Sequence, residues 1–304
     1  MRPRHRGSVA TIGSFDGVHL GHQAILRQVI NKAKALGLPS VVMVFEPQPH
    51  EFFSGEKAPA RLMRLREKAK ALFAAGIDRV FCLQFNRSLR RLSAREFIQR
   101  VLVDGIGVKY LVVGDDFRFG CDRSGDYELL KQAGKTHGFD VIDTHTYEIE
   151  GERVSSTRIR RELEAGHFEF VAQLLGKPYT ITGHVVYGQQ LGRQLGVPTA
   201  NVQLRRYRSP LNGVFAVESR LADGRLVQGV ANVGVRPTVG GETKPILEVH
   251  LFDFDEHIYG QIIEVEFKTK LREETKFESL ELLKAQLQRD IEDARAFFAR
   301  RQQG

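Results

Sequence analysis

Two hydrophobic periods divide the chain. In the first half, short β-branched runs read as strands at Ser8 to Ile12, Val41 to Phe45, Arg79 to Phe85, Lys109 to Val113 and Phe139 to Asp143. Between them apolar residues recur at helical spacing, most clearly at Ile25, Leu26, Val29, Ile30, Ala33 and Leu36. Further helices are expected near Arg61 to Ala75, closed by Gly76, from Ser93, and near Gly125 to His137. Ser93 and Glu96 have the spacing of a capping box. Alternation of this kind predicts a parallel sheet with helices on both faces, and ligands outside the carboxyl ends of the strands.

A helical stretch from about Ser156 to Leu175 ends this pattern, and glycine and proline interrupt it at Gly176 to Pro178. From Tyr179 apolar residues alternate with period two in YTITGHVVY, GVFAVESRL, RLVQGVANV, ILEVHLFDF and QIIEVEFKT. Short strands without intervening helices predict a small barrel or sandwich. A last amphipathic helix is expected from about Ser279 to Arg300, with Leu283, Leu287, Ile291, Ala294 and Phe298 on one face. The reading is two domains, 1–177 and 178–304.

The chain's 304 residues supply core enough for both domains. No apolar run approaches the length of a membrane span, so the expectation is a cytoplasmic protein with no membrane partner. Cys82 in a strand-like run and Cys121 in a loop are too few for a disulfide framework or a cysteine metal site. The net charge is +8, with 27 Lys and Arg against 21 Asp and Glu in residues 1–176. No lysine tract or aromatic-interleaved basic stripe accompanies that surplus, which points to a nucleotide rather than a nucleic acid.

The densest chemistry in the first half is TIGSFDGVHLGH, at the junction of the first strand and first helix. A helix start presents unpaired N–H groups and a positive dipole end, which suit polyphosphate. Gly13 and Gly17 allow close backbone approach, and His19 and His22 stand three apart at the helix entrance. Histidines in tight turns also satisfy backbone groups, and metal binding by the pair would need further ligands. Two imidazoles here can donate to phosphate oxygens and steady a departing pyrophosphate. In the second half, Gly188, Gly192 and Gly196 recur every fourth residue, the composition of a mobile loop able to wrap phosphates. Thr199 and Asn201 follow two residues apart, on one side of an extended strand, as hard oxygen ligands suited to Mg²⁺.

TIGSFDGVHLGH resembles the G-x-F-D-G-x-H-x-G-H signature of the nucleotidyltransferase superfamily. FEPQPHEFF, RLMRLREK, VVGDDFRFG and RVSSTRIRREL extend the likeness to the bacterial bifunctional riboflavin kinase/FAD synthetases, and VVYGQQLGRQLGVPTANV resembles their kinase signature. The resemblance implies a Rossmann-like α/β nucleotidyltransferase domain followed by a small antiparallel β-barrel with a C-terminal helix. Riboflavin would become FMN, and FMN would become FAD, with ATP spent in each step. It also implies ATP contacts at Gly13, Phe15, Asp16, Gly17, His19, His22, Arg153, Ser156 and Arg160, with Arg158 and Arg161 left on the surface. Asp116 and Phe119 would face the nucleotide and the flavin, and Phe53 would form a second aromatic wall.

In the kinase half the resemblance implies Mg-ATP at Gly188, Gly192, Gly196, Thr199 and Asn201, with Thr199 and Asn201 as metal ligands. Glu248 lies on a strand whose other face carries Leu247, Val249 and Leu251, and the resemblance makes it the catalytic base. Without that likeness it reads as a solvated barrel residue. Val197 stands where phenylalanine is usual, and Ser14 where asparagine is frequent; neither removes a reactive group. Two other readings stay open: a kinase joined to a degenerate adenylyltransferase, and a flavin-binding regulator on the same scaffold. Oligomeric state is not encoded legibly, and a homo-oligomer is compatible with the sequence.

Overall fold

A computed structural model describes residues 7–114, 116–144, 146–188, 192, 195–237 and 243–302. The chain divides into two compact units, one formed by Met1–Pro59 and Leu65–Ser155, the other by Ala60–Arg64 and Ser156–Gly304. The contact division therefore falls earlier than residue 177, and a five-residue segment from the first half belongs to the second unit.

In the first unit β1 (Ser8–Ile12), β2 (Ser40–Glu46), β3 (Arg79–Gln84), β4 (Val108–Gly114) and β5 (Asp140–Thr144) form one parallel sheet in the order β3-β2-β1-β4-β5. Strand order reverses at β1 and β4, so the crevice for a ligand opens beyond their carboxyl ends. Both faces are covered. Ala10, Ile12, Val41, Met43, Leu111 and Val113 join one buried cluster with Leu102 and Leu130. The alternate residues Val9, Val42, Val44 and Val112 are equally buried on the other face. Leu26, Val29 and Ala33 of α1 (Leu20–Leu36) are buried outside that cluster, which puts α1 on this second face.

Local chemistry sets the helix ends. Gly37 closes α1 in the left-handed conformation, its N–H on the Ala33 carbonyl. The 49–54 stretch, which carries no sequence period, forms a short helix, α2 (Pro49–Ser54), started by proline at its first turn. The helix expected from Arg61 begins later, as α3 (Leu65–Ala74). A single turn, α4 (Arg87–Arg90), is capped by Asn86. The Ser93–Glu96 capping box opens α5 (Ala94–Phe97), which continues as π-wound turns over Ile98–Val103. Asp126 caps α6 (Tyr127–His137). Glu150 and Gly151, both at positive φ, turn a hairpin between β6 (Glu148–Ile149) and β7 (Glu152–Arg153).

In the second unit β8 (Thr180–Val186), β9 (Ala200–Val202), β10 (Gly213–Arg220), β11 (Leu226–Pro237), β12 (Thr243–Leu251) and β13 (Ile262–Arg272) close an antiparallel barrel in the order β10-β11-β12-β9-β8-β13. Gly166, at φ +82, breaks the expected 156–175 helix into α7 (Ser156–Ala165) and α8 (Phe168–Leu175). Phe168 packs edge-on against Phe215 and parallel to Phe267, both in the barrel, so its apolar side holds α8 to this unit. The last helix, α9 (Leu280–Gln302), covers the barrel wall, with Ala294 and Phe298 against Val214, Ala216, Val230 and Phe252. No helix among the described residues is long and apolar enough to cross a membrane.

The Ala60–Arg64 segment is sewn to the second unit through its backbone. Arg160 Nε donates to the Ala60 carbonyl at 2.5 Å, Arg206 Nη1 to that of Arg61 at 3.0 Å, and the Tyr179 hydroxyl to that of Leu62 at 3.4 Å. Arg64 in turn donates to the Thr182 carbonyl.

The aromatic trio yields a stability prediction. Phe168→Ala opens a cavity between α8 and the barrel and costs about 3–5 kcal/mol. Urea unfolding followed by fluorescence of labelled Cys82 for the first unit, and by circular dichroism for the whole, is expected to show destabilisation of the second unit alone.

Candidate functional site

Two regions gather polar side chains. In the first unit the turn after β1 is buried rather than draped over the surface: Phe15 is 2 % exposed, Asp16 1 % and Val18 3 %. Phe15 and Val18 hold φ values of 46° and 45°, and Gly17 one of 93°, so this turn is wound left-handed at a cost that its packing offsets. A Cβ on Gly13 would press on the Phe15 ring at 3.1 Å, so glycine lets that ring pack closely against the turn.

The turn delivers His19 to the N-cap of α1, where its Nδ1 accepts the His22 N–H at 3.3 Å. With Nδ1 accepting, the proton of the neutral ring is on Nε2. The two imidazoles stack with centroids 3.6 Å apart, and Phe15 lies 4.8 Å from His22 on its other side. Burial first, then the Arg153 guanidinium, lower the His19 pKa to about 4. Burial also drives His22 well below the usual range, helped by His19, Lys68 and Arg153. His22 Nδ1 is buried with no hydrogen-bond partner among the described residues. At neutral pH the pair thus offers uncharged donors at a helix start, within the field of two cations.

The hairpin carrying Arg153 brings it 3.3 Å from Asp116, at the end of β4. Gly13, Phe15, Asp16, Gly17, His19, His22, Asp116 and Arg153 accordingly belong to one region of the first unit, at the sheet's reversal point. Phe53 stands apart as a ring 59 % exposed, edge-on to Phe52 and Phe85, with the Arg90 guanidinium 5.2 Å from its centre. Phe119 departs from expectation. Its ring is buried in the core between Phe97 and Phe117, and Gly125 lies against its face, so it supports the loop from below instead of facing a ligand. Arg158 departs too, for it is 5 % exposed and covers the Phe170 ring, while Arg161 is at the surface as expected. Ser156 begins α7 and Arg160 holds Ala60, both within the second unit.

The second region is two cavities in the barrel unit that share Thr199. One, of about 200 Å³, lies under α9 and has Glu248 and Asn232 among apolar walls that include Val230, Phe277, Leu283 and Leu287. Its rim is braced by a buried ion pair: Arg272 meets both oxygens of Asp290 at 2.7 Å, and Gln286 adds a bond at 2.9 Å. Gly234 lacks the Cβ that would collide with the Glu274 carboxylate, which lets that side chain lie across β11. The other cavity, of about 170 Å³, is lined by Pro198, Ala200 and residues 254–259. Tyr259 in its wall stacks on Tyr187 at 3.9 Å.

Thr199 and Asn201 sit against the glycine loop. A Cβ on Gly188 would overlap the Asn201 carboxamide, and one on Gly192 would stand 2.4 Å from the Val197 carbonyl and 3.3 Å from Thr199 Oγ1. Gly192 is therefore a steric necessity against backbone, a side chain at Gly188 would displace the Asn201 head, and Gly196 serves a left-handed turn at φ +80. Residues 189–191 and 193–194, the rest of the expected mobile loop, lie outside the described residues.

Comparison with known proteins agrees with this division of sites. The FAD synthetase family model matches residues 1–158 and the riboflavin kinase model residues 175–298. A bifunctional riboflavin kinase/FMN adenylyltransferase of Pseudomonas fluorescens is 55% identical over 299 residues, covering 98% of this chain and 96% of its own. The chain belongs to the bifunctional riboflavin kinase/FMN adenylyltransferase family. The Haemophilus influenzae member is 48% identical over 293 residues, spanning 96% of this chain and 95% of that one. A crystal structure named as a macrolide-efflux protein from Streptococcus pneumoniae superposes with a TM-score of 0.79 at 32% identity, over 97% of this chain and 95% of its own.

Within the family's two matched regions, Lys68 and Asn232 were not legible as site residues. Lys68, fully buried on α3, acts on His22 through its charge. The available signal was a lysine placed on the apolar stripe of a helix. Asn232 interrupts an otherwise apolar strand, and only pairing reveals its neighbour.

The lowered imidazoles set a pH dependence. A folded His19 pKa of about 4, against 6.5 for the free side chain, means that the unfolded chain takes up a proton the folded chain refuses. Stability from this source is complete above pH 6.5 and is lost as pH falls toward 4, with a slope of up to about 1.4 kcal/mol per pH unit per proton. His19→Gln is expected to flatten that slope in urea unfolding measured across this range.

Proposed function

We propose that the chain makes flavin cofactors in two ATP-dependent steps, riboflavin to FMN in residues 178–304 and FMN to FAD in residues 1–177, in the cytoplasm. The observation that carries the reading is that both motif sets lie in constructed sites: the stacked histidines at the start of α1, and the Thr199 wall shared by two cavities with Glu248 in one of them.

In the kinase step the apolar cavity beneath α9 takes the flat flavin ring, which gains burial and stacking there. The Tyr259 cavity takes ATP, with adenine on the stacked tyrosines. Thr199 in the common wall puts the γ-phosphate beside the ribityl chain. Glu248 accepts the proton of the terminal ribityl hydroxyl as its oxygen bonds to the γ-phosphorus and the bond to ADP breaks. Thr199 and Asn201 offer a hydroxyl and a carboxamide oxygen for Mg²⁺, and the absence of side chains at Gly188 and Gly192 leaves those oxygens uncrowded. A bound Mg²⁺ neutralises charge on the transferring phosphate.

In the adenylyl step ATP lies on the turn Gly13, Phe15, Asp16, Gly17 and the start of α1. An FMN phosphate oxygen attacks the α-phosphorus in line, and the bond to pyrophosphate breaks. His19 and His22 donate from neutral rings to oxygens whose charge grows as pyrophosphate separates. Arg153 adds a guanidinium on the same side, and its neighbour Asp116 orients the acceptor with exposed Phe53 as an apolar surface for the flavin. Both steps rely on positioning and charge stabilisation.

Purified protein with riboflavin and Mg-ATP is expected to accumulate FMN and then FAD. FMN alone would favour a degenerate adenylyltransferase, and tight flavin binding without ATP consumption a regulator. His19→Ala is expected to lower FAD formation about 100-fold or more while FMN formation persists. Glu248→Ala does the reverse when FMN is supplied. Chelation of divalent cations should stop both steps, and added Mg²⁺ should restore them.

A further inference from the structure

Pairing across three strands puts Asn201 of β9 opposite Glu248 of β12, and Glu248 opposite Asn232 of β11. Directly paired residues on one face of an antiparallel sheet have Cβ atoms about 5 Å apart, so these three polar heads form a row. Asn232 and Glu248 both line the cavity beneath α9. Asn232 Oδ1 is buried there without a hydrogen-bond partner among the described residues. An unsatisfied buried acceptor costs free energy that a ligand hydrogen bond recovers.

The surroundings say what kind of group completes it. Val230, two residues earlier on the same face, is apolar, and Gly234, two residues later, is covered by the Glu274 carboxylate. An anionic ligand head is not called for, since the carboxamide stands near the Glu248 and Glu274 carboxylates and its orphaned oxygen needs a single small donor. A hydroxyl fits, because it both donates and accepts and so satisfies either end of the amide.

We propose that Asn232 is a substrate-binding residue of the kinase site that holds a secondary hydroxyl of the ribityl chain, and so sets the terminal hydroxyl against Glu248. This rests on the kinase reading above. In consequence the site selects flavins with a polyol chain over flavins with an alkyl chain. A polar group placed for a hydroxyl rejects the analogue lacking it, because the buried amide then stays unpaired.

The test compares riboflavin with three deoxyriboflavins, each lacking one secondary ribityl hydroxyl, in the full-length protein and in Asn232→Ala. The variant is expected to lower kcat/KM for riboflavin about tenfold or more. For one deoxyriboflavin, and only one, it should cause no further loss, since that substrate has no hydroxyl for residue 232. Equal losses on all four substrates, or no loss on riboflavin, would overturn the assignment. Circular dichroism and urea unfolding against the unaltered protein report folding of the barrel that carries the substitution. If the alanine variant is unfolded, Asn232→Leu, which keeps the volume and removes the hydrogen-bonding amide, replaces it, and the same single-analogue pattern is required. Absence of phosphorylation of any flavin by the unaltered protein would overturn the kinase reading instead.

Discussion

Desolvation of two imidazoles is the constraint around which the first unit is arranged. The two rings stack in contact, and burial disfavours charging either of them. That burial requires the preceding turn to fold into the protein, hence the left-handed Phe15 and Val18 and the absence of a side chain at Gly13. The turn in turn requires β1 to be a central strand, buried on both faces, so that its end emerges at the sheet's reversal point. Neutral donors preorganised at a helix start can respond to charge that appears during reaction without already being committed to a counter-ion.

The barrel unit meets a different demand. Phosphoryl transfer needs a donor and an acceptor brought together, and this unit has two cavities with Thr199 in the walls of both. The strand that provides it, β9, is only three residues long, pinned between β8 and β12. The longer β11 and β12 pair beside it, with Asn201, Glu248 and Asn232 in one row across the three strands. The Arg272–Asp290 pair ties the end of β13 to α9, so the wall opposite Glu248 is anchored rather than merely adjacent.

Much of this was readable beforehand, for physical reasons that differ by element. The central strands β1, β2 and β4 are apolar runs because strands buried on both faces are continuous apolar stretches, while the edge strands β3 and β5 are partly exposed. The Ser93 capping box is local chemistry and formed as its spacing required. Failures came where tertiary packing decides. The family resemblance places Phe119 toward a ligand, yet its ring turns inward, where Phe97 and Phe117 offer apolar partners. Arg158 found the Phe170 ring for the same reason. Helix α2 was too short to show a period, and Asn232 gained its neighbour only through strand register.

The stitched segment Ala60–Arg64 has a consequence for how such a chain can be inherited. Its backbone crosses from one unit to the other at 59/60, 64/65 and 155/156, so neither unit is a single continuous stretch of gene. A coding segment starting at residue 156 would produce a barrel whose Arg160, Arg206 and Tyr179 face three missing carbonyls. Separation of the two halves by one recombination event is thereby penalised. A barrel encoded alone would need other acceptors for those three side chains.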